Sequence, residues 1–175
     1  MIVVKVGGSL FDHPALGPTL REYLESLRPA EVLLVVGGGA VADAVRDLDR
    51  LHGLGEESAH WVALRSLGVT AAFVERLLGG GALLDAHAFA LADEARPGAL
   101  PHSWDVTTDS IAARVAGVYC AERLVLLKSR DIPPGTPWTV ASREGWVDAH
   151  FPHVAQTLGC PVEVVNFRRL MDART

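Results

Sequence analysis

One pattern occurs twice near the start of this chain: an apolar run of strand length that ends on glycines. Met1-Ile2-Val3-Val4-Lys5-Val6 leads into Gly7-Gly8-Ser9, and Glu31-Val32-Leu33-Leu34-Val35-Val36 leads into Gly37-Gly38-Gly39. A β-branched run without polar alternation reads as a strand buried on both faces, the habit of a parallel sheet. Glycines at its carboxyl end let backbone N–H groups approach an anion with no Cβ in the way. After the second corner, Ala40 to Arg46 starts a helix, which adds free N–H groups and the positive end of a helix dipole. Lys5 stands beside the first corner as a mobile point charge suited to a phosphate oxygen. A plain glycine turn is the bland reading of either corner, but two of them in one short chain are harder to dismiss. The Walker pattern G-x-x-x-x-G-K-[ST] is absent from the sequence.

At 175 residues, 49% hydrophobic and 21% charged, the chain is expected to form one domain with a sizeable core and no disorder. Its formal net charge of -5 argues against a nucleic-acid partner, which wants a basic face, yet leaves room for a small anion bound by local field. Cys120 and Cys160 have no C-x-x-C companion, so neither a disulfide framework nor a zinc site is suggested. With no basic leader and no apolar run of spanning length, a cytoplasmic protein without a membrane partner is expected. Of 16 basic residues only Lys5 and Lys128 are lysines. A codon bias toward arginine explains the surface, but both lysines fall at the ends of expected strands, where open α/β sheets bind ligands.

Along the chain, Pro14 to Arg28 carries Leu16, Leu20, Leu24 and Leu27 as a helical stripe stopped by Pro29. Glu56 to Leu78 predicts a long helix whose broad hydrophobicity fits either a core or a subunit interface. His60 and Trp61 on it read as packing residues before they read as a ligand pair. Gly79-Gly80-Gly81 caps that helix, and the apolar Ala82 to Ala92 is expected to give one or two short strands. Pro101 to Arg114 is the second informative stretch. Thr107 or Thr108 can cap the Ala-rich helix that follows, with Asp109 in its first turn. One cap hardly accounts for Asp105, Thr107, Thr108, Asp109 and Ser110 together. A carboxylate here could orient Lys5 and Lys128 through charge-assisted hydrogen bonds.

Glu122 to Lys128 is a further buried strand that ends in lysine. A helix from about His150 to Leu158, a last strand from Pro161 to Asn166 and a basic tail end with Arg168, Arg169 and Arg174 complete the chain. Asp-Ala-His occurs at Asp85-Ala86-His87 and at Asp148-Ala149-His150; a metal pair is conceivable, and coincidence in an Ala-rich chain is the readier explanation.

Taken together, K-V-G-G-S, V-V-G-G-G-A before a helix, D-V-T-T-D-S-I-A-A and the late L-V-L-L-K resemble the amino-acid kinase superfamily, in order and approximate spacing over nearly the whole chain. That superfamily includes acetylglutamate, glutamate, uridylate and carbamate kinases. Glu56 to Trp61, Ser103 to Ser110 and Gly145 to Asp148 are most similar to the branch containing the aminomethylfuran-phosphate kinase of methanofuran synthesis. The resemblance implies an α/β fold, a three-layer αβα sandwich around a mainly parallel sheet, with ATP and an anionic acceptor over the strand ends. It implies that Lys5 stabilises charge on the transferring phosphoryl group, that Gly7, Gly8 and Ser9 cradle that group, and that Gly37, Gly38 and Gly39 hold the acceptor's anion. Asp109 matches the organising aspartate. Asp105 falls where relatives often carry an Asn for the acceptor, and Thr107 is expected with it among the substrate-binding residues. Lys128 falls where many relatives carry the Thr of a T-D-V-D-G turn. Mg2+ would bridge the nucleotide's phosphates with little direct protein ligation, so no protein metal site is expected, and a homodimer is expected through the long helix.

The sequence departs from the family after Lys128, where relatives build the adenine pocket and a second catalytic lysine. Ser129-Arg130-Asp131-Ile132-Pro133-Pro134 stands there instead, with Arg130 and Arg143 as candidates for the lost charge. The domain is therefore read as a single unit, 1–175, with a shortened C-terminal nucleotide-binding part. Two other readings stay open beside the kinase of a carboxylate or phosphate acceptor. One is a protein of this fold that binds a small anion without transferring phosphate; the other is an enzyme similar to uridylate or acetylglutamate kinase.

Overall fold

The computed structural model describes residues 1–174. Four strands form one wholly parallel sheet in the order β2-β1-β3-β4: β1 (Ile2–Val6), β2 (Val32–Val36), β3 (Arg123–Lys128) and β4 (Val162–Asn166). The two central strands, β1 and β3, are buried along almost their whole length, which is why their sequences show no polar alternation. The helices, in chain order, are α1 (Leu16–Ser26), α2 (Gly39–His52), α3 (Glu56–Leu78), α4 (Ala86–Asp93), α5 (Thr108–Val118), α6 (Trp138–Arg143), α7 (Phe151–Gln156) and α8 (Phe167–Asp172). None is long and apolar enough to cross a membrane.

Side-chain alternation divides the core into two layers. Val3, Leu124 and Leu126 face one side, where they pack with Ile111, Ala112 and Val115 of α5 and Phe151 of α7. Ile2, Val4, Val6, Val125 and Leu127 face the other, against Leu16 and Leu20 of α1 and Phe167 and Met171 of α8. Helices thus cover both faces of the sheet, the three-layer α/β arrangement expected. Lys5 and Lys128 continue the Val3 and Leu126 register by two residues, so both project from the α5 side at the carboxyl edge. This places two cations on one face without any help from a loop.

Two stretches differ from the sequence expectation. Residues 82–92 are not strands: only Leu83 forms an isolated parallel bridge, to Leu34, and the rest is α4, capped by the Asp85 side chain accepting from Ala88 N at 2.9 Å. Ala and Leu are strong helix formers and no β-branched residue interrupts 82–92, so helix propensity prevails there. The arginine-rich end is no loose tail. Asn166 caps α8 through Arg169 N, and Phe167 and Met171, one turn apart, are fully buried. The last helix of the α5 layer is shorter than expected, Phe151–Gln156.

Candidate active site

The two glycine corners meet. Both carry the ladder of β1 forward, Gly7 N donating to Leu127 O at 3.0 Å and Gly37 N to Val6 O at 2.9 Å. A Cβ on Gly8 would lie 2.3 Å from Gly39 N, and one on Gly37 would lie 2.6 Å from Gly8 N. These are backbone-to-backbone approaches that no side chain could yield to, so glycine is required on both sides. Gly39 also holds a φ of +52° as it opens α2. The pair of corners therefore forms one continuous patch of bare backbone at the carboxyl edge of β1 and β2. Ser9 is exposed beside it, its hydroxyl donating to Ser129 Oγ at 3.0 Å, and Arg168 donates to Ser9 O.

Behind this patch lies a buried charge triad. Asp109, in the first turn of α5, receives Lys128 Nζ on Oδ2 at 2.6 Å and has Lys5 Nζ 2.8 Å from Oδ1. The side chains of Lys5, Asp109 and Lys128 are 7%, 5% and 11% exposed, so neither pair is a solvated surface bridge. The Lys128 contact is an aligned hydrogen bond, whereas the Lys5 contact is ionic and leaves Oδ1 without a well-aligned donor among the described residues. Burial pushes the Asp109 carboxyl up, but the two ammoniums outweigh it and hold the group below its ordinary value. Burial and the neighbouring Lys5 charge push Lys128 down to about 8, with Asp109 pulling back. One carboxylate thus faces two ammoniums, and the triad carries a net positive charge toward the glycine patch.

The polar stretch ahead of α5 is organised by a residue that sequence reasoning set aside. Asp148 accepts five hydrogen bonds: from Thr107 N (3.0 Å) and Oγ1 (2.9 Å), Ser110 N (2.9 Å) and Oγ (2.5 Å), and Phe151 N (2.8 Å). It caps α5 from outside the helix and also caps α7, the task expected of Thr107 or Thr108. Thr107 occupies the N-cap position, but its hydroxyl is spent on Asp148 and makes no cap bond of its own. Asp148 thereby fixes the first turn of α5, and with it Asp109. The local signal for this was the polar cluster itself, too rich for one cap. Its partner was 38 residues away from Ser110 and so invisible to local pattern. Neither Asp-Ala-His triplet joins a metal centre: Asp85 caps α4, Asp148 caps α5 and α7, and no group of three or more His, Cys, Asp or Glu among the described residues could hold a metal ion.

On the α2 side of the glycine patch a pocket of about 80 Å³ opens between α2, α3 and the loop before α5. Gly38, Thr107 and Thr108 line it together with Leu64 and Leu67 of α3, and with Arg46, His60 and Trp104. No residue lining it is acidic. Asp105 is exposed, and its backbone carbonyl accepts from His150 N at 3.1 Å, tying the loop to the start of α7. The structure therefore brings Lys5, Lys128 and Asp109 into one cluster beside Gly7, Gly8 and Gly37 to Gly39. Thr107 has its hydroxyl committed, and Asp105 is not among the pocket's lining residues. Arg130 and Arg143 are both exposed.

The fold is α/β, with a wholly parallel sheet under two facing glycine corners and cations at its strand ends. Among solved structures the chain is similar to the uridylate kinases, which belong to the amino-acid kinase superfamily. It matches the uridylate kinase of Archaeoglobus fulgidus at TM-score 0.66 and 17% identity, covering 98% of this chain and 94% of that one. It matches the UMP kinase of Ureaplasma parvum at 0.61 and 17%, covering 94% and 88%, and that of Bacillus anthracis at 0.63 and 14%, covering 98% and 91%. At these identities the likeness is one of fold, and it does not separate the aminomethylfuran-phosphate branch from the others. No family model matches the sequence, and no curated protein sequence does.

Proposed function

We propose that the chain is a phosphotransferase that moves the γ-phosphoryl group of ATP to an anionic acceptor, a carboxylate or a phosphate. The observation that carries this is the buried Lys5–Asp109–Lys128 triad set against a double glycine corner. Phosphoryl transfer needs in-line positioning and charge neutralisation far more than covalent chemistry. In this reading the bond from Pγ to the bridging oxygen breaks, ADP leaves, and a new bond forms from Pγ to the acceptor oxygen. That oxygen is already deprotonated at neutral pH, so no general base is required. Asp109, engaged with both lysines, is a positioning residue rather than a base.

Lys5 neutralises the phosphoryl oxygens from the β1 side, and Lys128, still mainly protonated at pH 7, does so from β3. The backbone N–H groups of Gly7, Gly8 and Ser9 cradle the transferring group, while Gly37, Gly38 and Gly39 hold the acceptor's anion at the start of α2. Magnesium, entering with the nucleotide, would supply charge neutralisation to the ATP phosphates. The Asp109 carboxylate faces lysines on both oxygens, so the chain's residues fit an ion carried in on the nucleotide rather than one caged by protein. The acceptor is drawn from the classes these kinases serve: a nucleoside monophosphate such as UMP, an acyl carboxylate, or a small phosphomonoester such as aminomethylfuran phosphate. The outer face of α3, where Val62, Val69 and Phe73 are 41%, 61% and 42% exposed, is the proposed homodimer contact.

The test is calorimetric titration with a non-hydrolysable ATP analogue plus magnesium, in the parent chain and in Lys5→Ala. Binding that weakens at least tenfold in a folded Lys5→Ala supports the reading. Absence of binding at millimolar nucleotide overturns it in favour of a protein of this fold that binds a small anion without transfer.

A further inference from the structure

Lys5 and Lys128 approach the glycine corners from the α5 face of the sheet, and a third cation approaches from the opposite face. Phe167 and Met171 are fully buried among the side chains of that face, Val4 and Leu127 included, and Asn166 caps α8, so the helix is firmly seated. From its first turn Arg168 reaches over the loop after β1. Its Nη2 donates to Ser9 O at 2.5 Å and to Asp12 Oδ1 at 2.7 Å, and the side chain is 26% exposed.

This contact completes a pattern in the cradle. Gly7 O accepts from Leu10 N at 3.0 Å and Gly8 O from Phe11 N at 3.2 Å. With Ser9 O held by Arg168, all three carbonyls of Gly7-Gly8-Ser9 are engaged by the protein and turned to its own donors. The N–H groups of Gly8 and Ser9 open a single helical turn, so they have no partner within it, and no side chain caps it. A guanidinium carries five N–H donors in a rigid fork. Arg168 commits Nη2, whereas Nε and Nη1 donate to nothing among the described residues. Asp12 is 70% exposed, so its hold on the guanidinium is that of a screened surface bridge. Arg169, one residue on, is committed to Asp131 in the loop after β3.

We propose that Arg168 is a ligand-binding residue of the nucleotide half of the site. Anchored on Ser9 O through Nη2, it takes with its free edge a non-transferring phosphate of the polyphosphate tail, and so restores charge that the shortened chain after Lys128 lacks. This rests on the assignment of the Gly7–Ser9 cradle to the transferring group. The tail then lies across the sheet edge, between two ammoniums on one face and a guanidinium on the other. A forked donor suits phosphate, whose charge exceeds that of the Asp12 carboxylate it competes with.

The experiment is calorimetric titration of the full chain with the non-hydrolysable ATP analogue plus magnesium and, separately, with tripolyphosphate plus magnesium. The variants are Arg168→Ala, Arg168→Lys, Asp12→Asn and Arg169→Ala. Loss of charge-assisted hydrogen bonds predicts about tenfold or more weaker binding of both ligands in Arg168→Ala. Arg168→Lys, which keeps the charge without the fork, should regain part of it. Asp12→Asn removes the competing carboxylate and should bind both ligands as tightly as the parent or more so. An arginine that only pinned the loop would give the opposite sign there, with Asp12→Asn weakened alongside Arg168→Ala. Arg169→Ala, with the same change in charge, should stay within about twofold of the parent. Circular dichroism identifies any variant that fails to fold, and Asp12→Asn, at an exposed position, carries the test if Arg168→Ala does. Unchanged binding in Arg168→Ala, weaker binding in Asp12→Asn, or an equal loss in Arg169→Ala overturns the inference, while analogue binding by the parent keeps the kinase reading intact. A parent chain that ignores the ATP analogue but binds tripolyphosphate through Arg168 overturns the kinase reading instead, and one that binds neither overturns both.

Discussion

Replacing Asp109 with Asn removes the single negative charge from a buried cluster of two cations while nearly keeping its shape. Lys128 already sits at about 8 rather than 10.5, and at about 1.4 kcal/mol per pKa unit its charge costs the folded state roughly 3 kcal/mol even with Asp109 in place. Removing one partner of a buried ion pair costs about 3–5 kcal/mol. Because Asp109 serves two ammoniums, we expect Asp109→Asn to lose about 4–5 kcal/mol at pH 6. The loss should shrink as pH rises, and the sign follows from proton counting. Where a lysine's folded pKa lies below its unfolded one, the unfolded chain holds more protons between the two values, so stability rises with pH there. In the parent that rise begins near 8. In Asp109→Asn the attraction that holds Lys128 up is gone, so its rise begins at lower pH and the gap narrows, by about 1–2 kcal/mol between pH 6 and 8.5. Urea unfolding followed by circular dichroism across that range measures the difference, with other titrations common to both proteins. A gap below about 1 kcal/mol, or one equal at pH 6 and 8.5, would refute a buried, mutually stressed triad.

Other substitutions probe the frame around it. Gly8→Ala places a Cβ 2.3 Å from Gly39 N, so the corners must part; a loss of about 1–3 kcal/mol is expected in thermal melts, together with weaker ATP-analogue binding. Asp148→Ala strands five donors at the starts of α5 and α7. It should cost about 3–5 kcal/mol and speed hydrogen exchange at the Thr107, Ser110 and Phe151 amides, with Asp148→Asn intermediate. Val69→Glu on the exposed face of α3 should convert a dimer to a monomer in light scattering; a parent chain monomeric at all working concentrations contradicts the proposed contact.

The sheet and its lysines were legible because they rest on local rules. Apolar runs without polar alternation mark β1, β2 and β3, and alternation by two then puts Lys5 and Lys128 on the same face. Asp109 was legible as the acid at a helix start facing two strand ends. Asp148 was not, because four of its five donor groups sit on Thr107 and Ser110, 41 and 38 residues away in sequence, and a carboxylate in a loop carries no period. The α4 segment was misread by weighing apolar character above propensity, although Ala, Leu and His without β-branched neighbours favour a helix. Three arginines hid α8, yet Phe167, Leu170 and Met171 stand at i, i+3 and i+4, and two of them are fully buried. The fit of the two glycine corners to each other was beyond reach as well, since each looked complete as a phosphate cradle in its own right.

The chain has two lysines, Lys5 and Lys128, so the triad can be observed without a mutation. Lysine labelled at Cε and Nζ gives one NMR signal for each, and both would be followed through a pH titration, with and without the ATP analogue and magnesium. If the triad is the phosphoryl-binding site, Lys128 titrates near 8 and both signals move when nucleotide is added. A Lys128 signal that titrates at the ordinary value, or two signals unmoved by millimolar nucleotide, would contradict it.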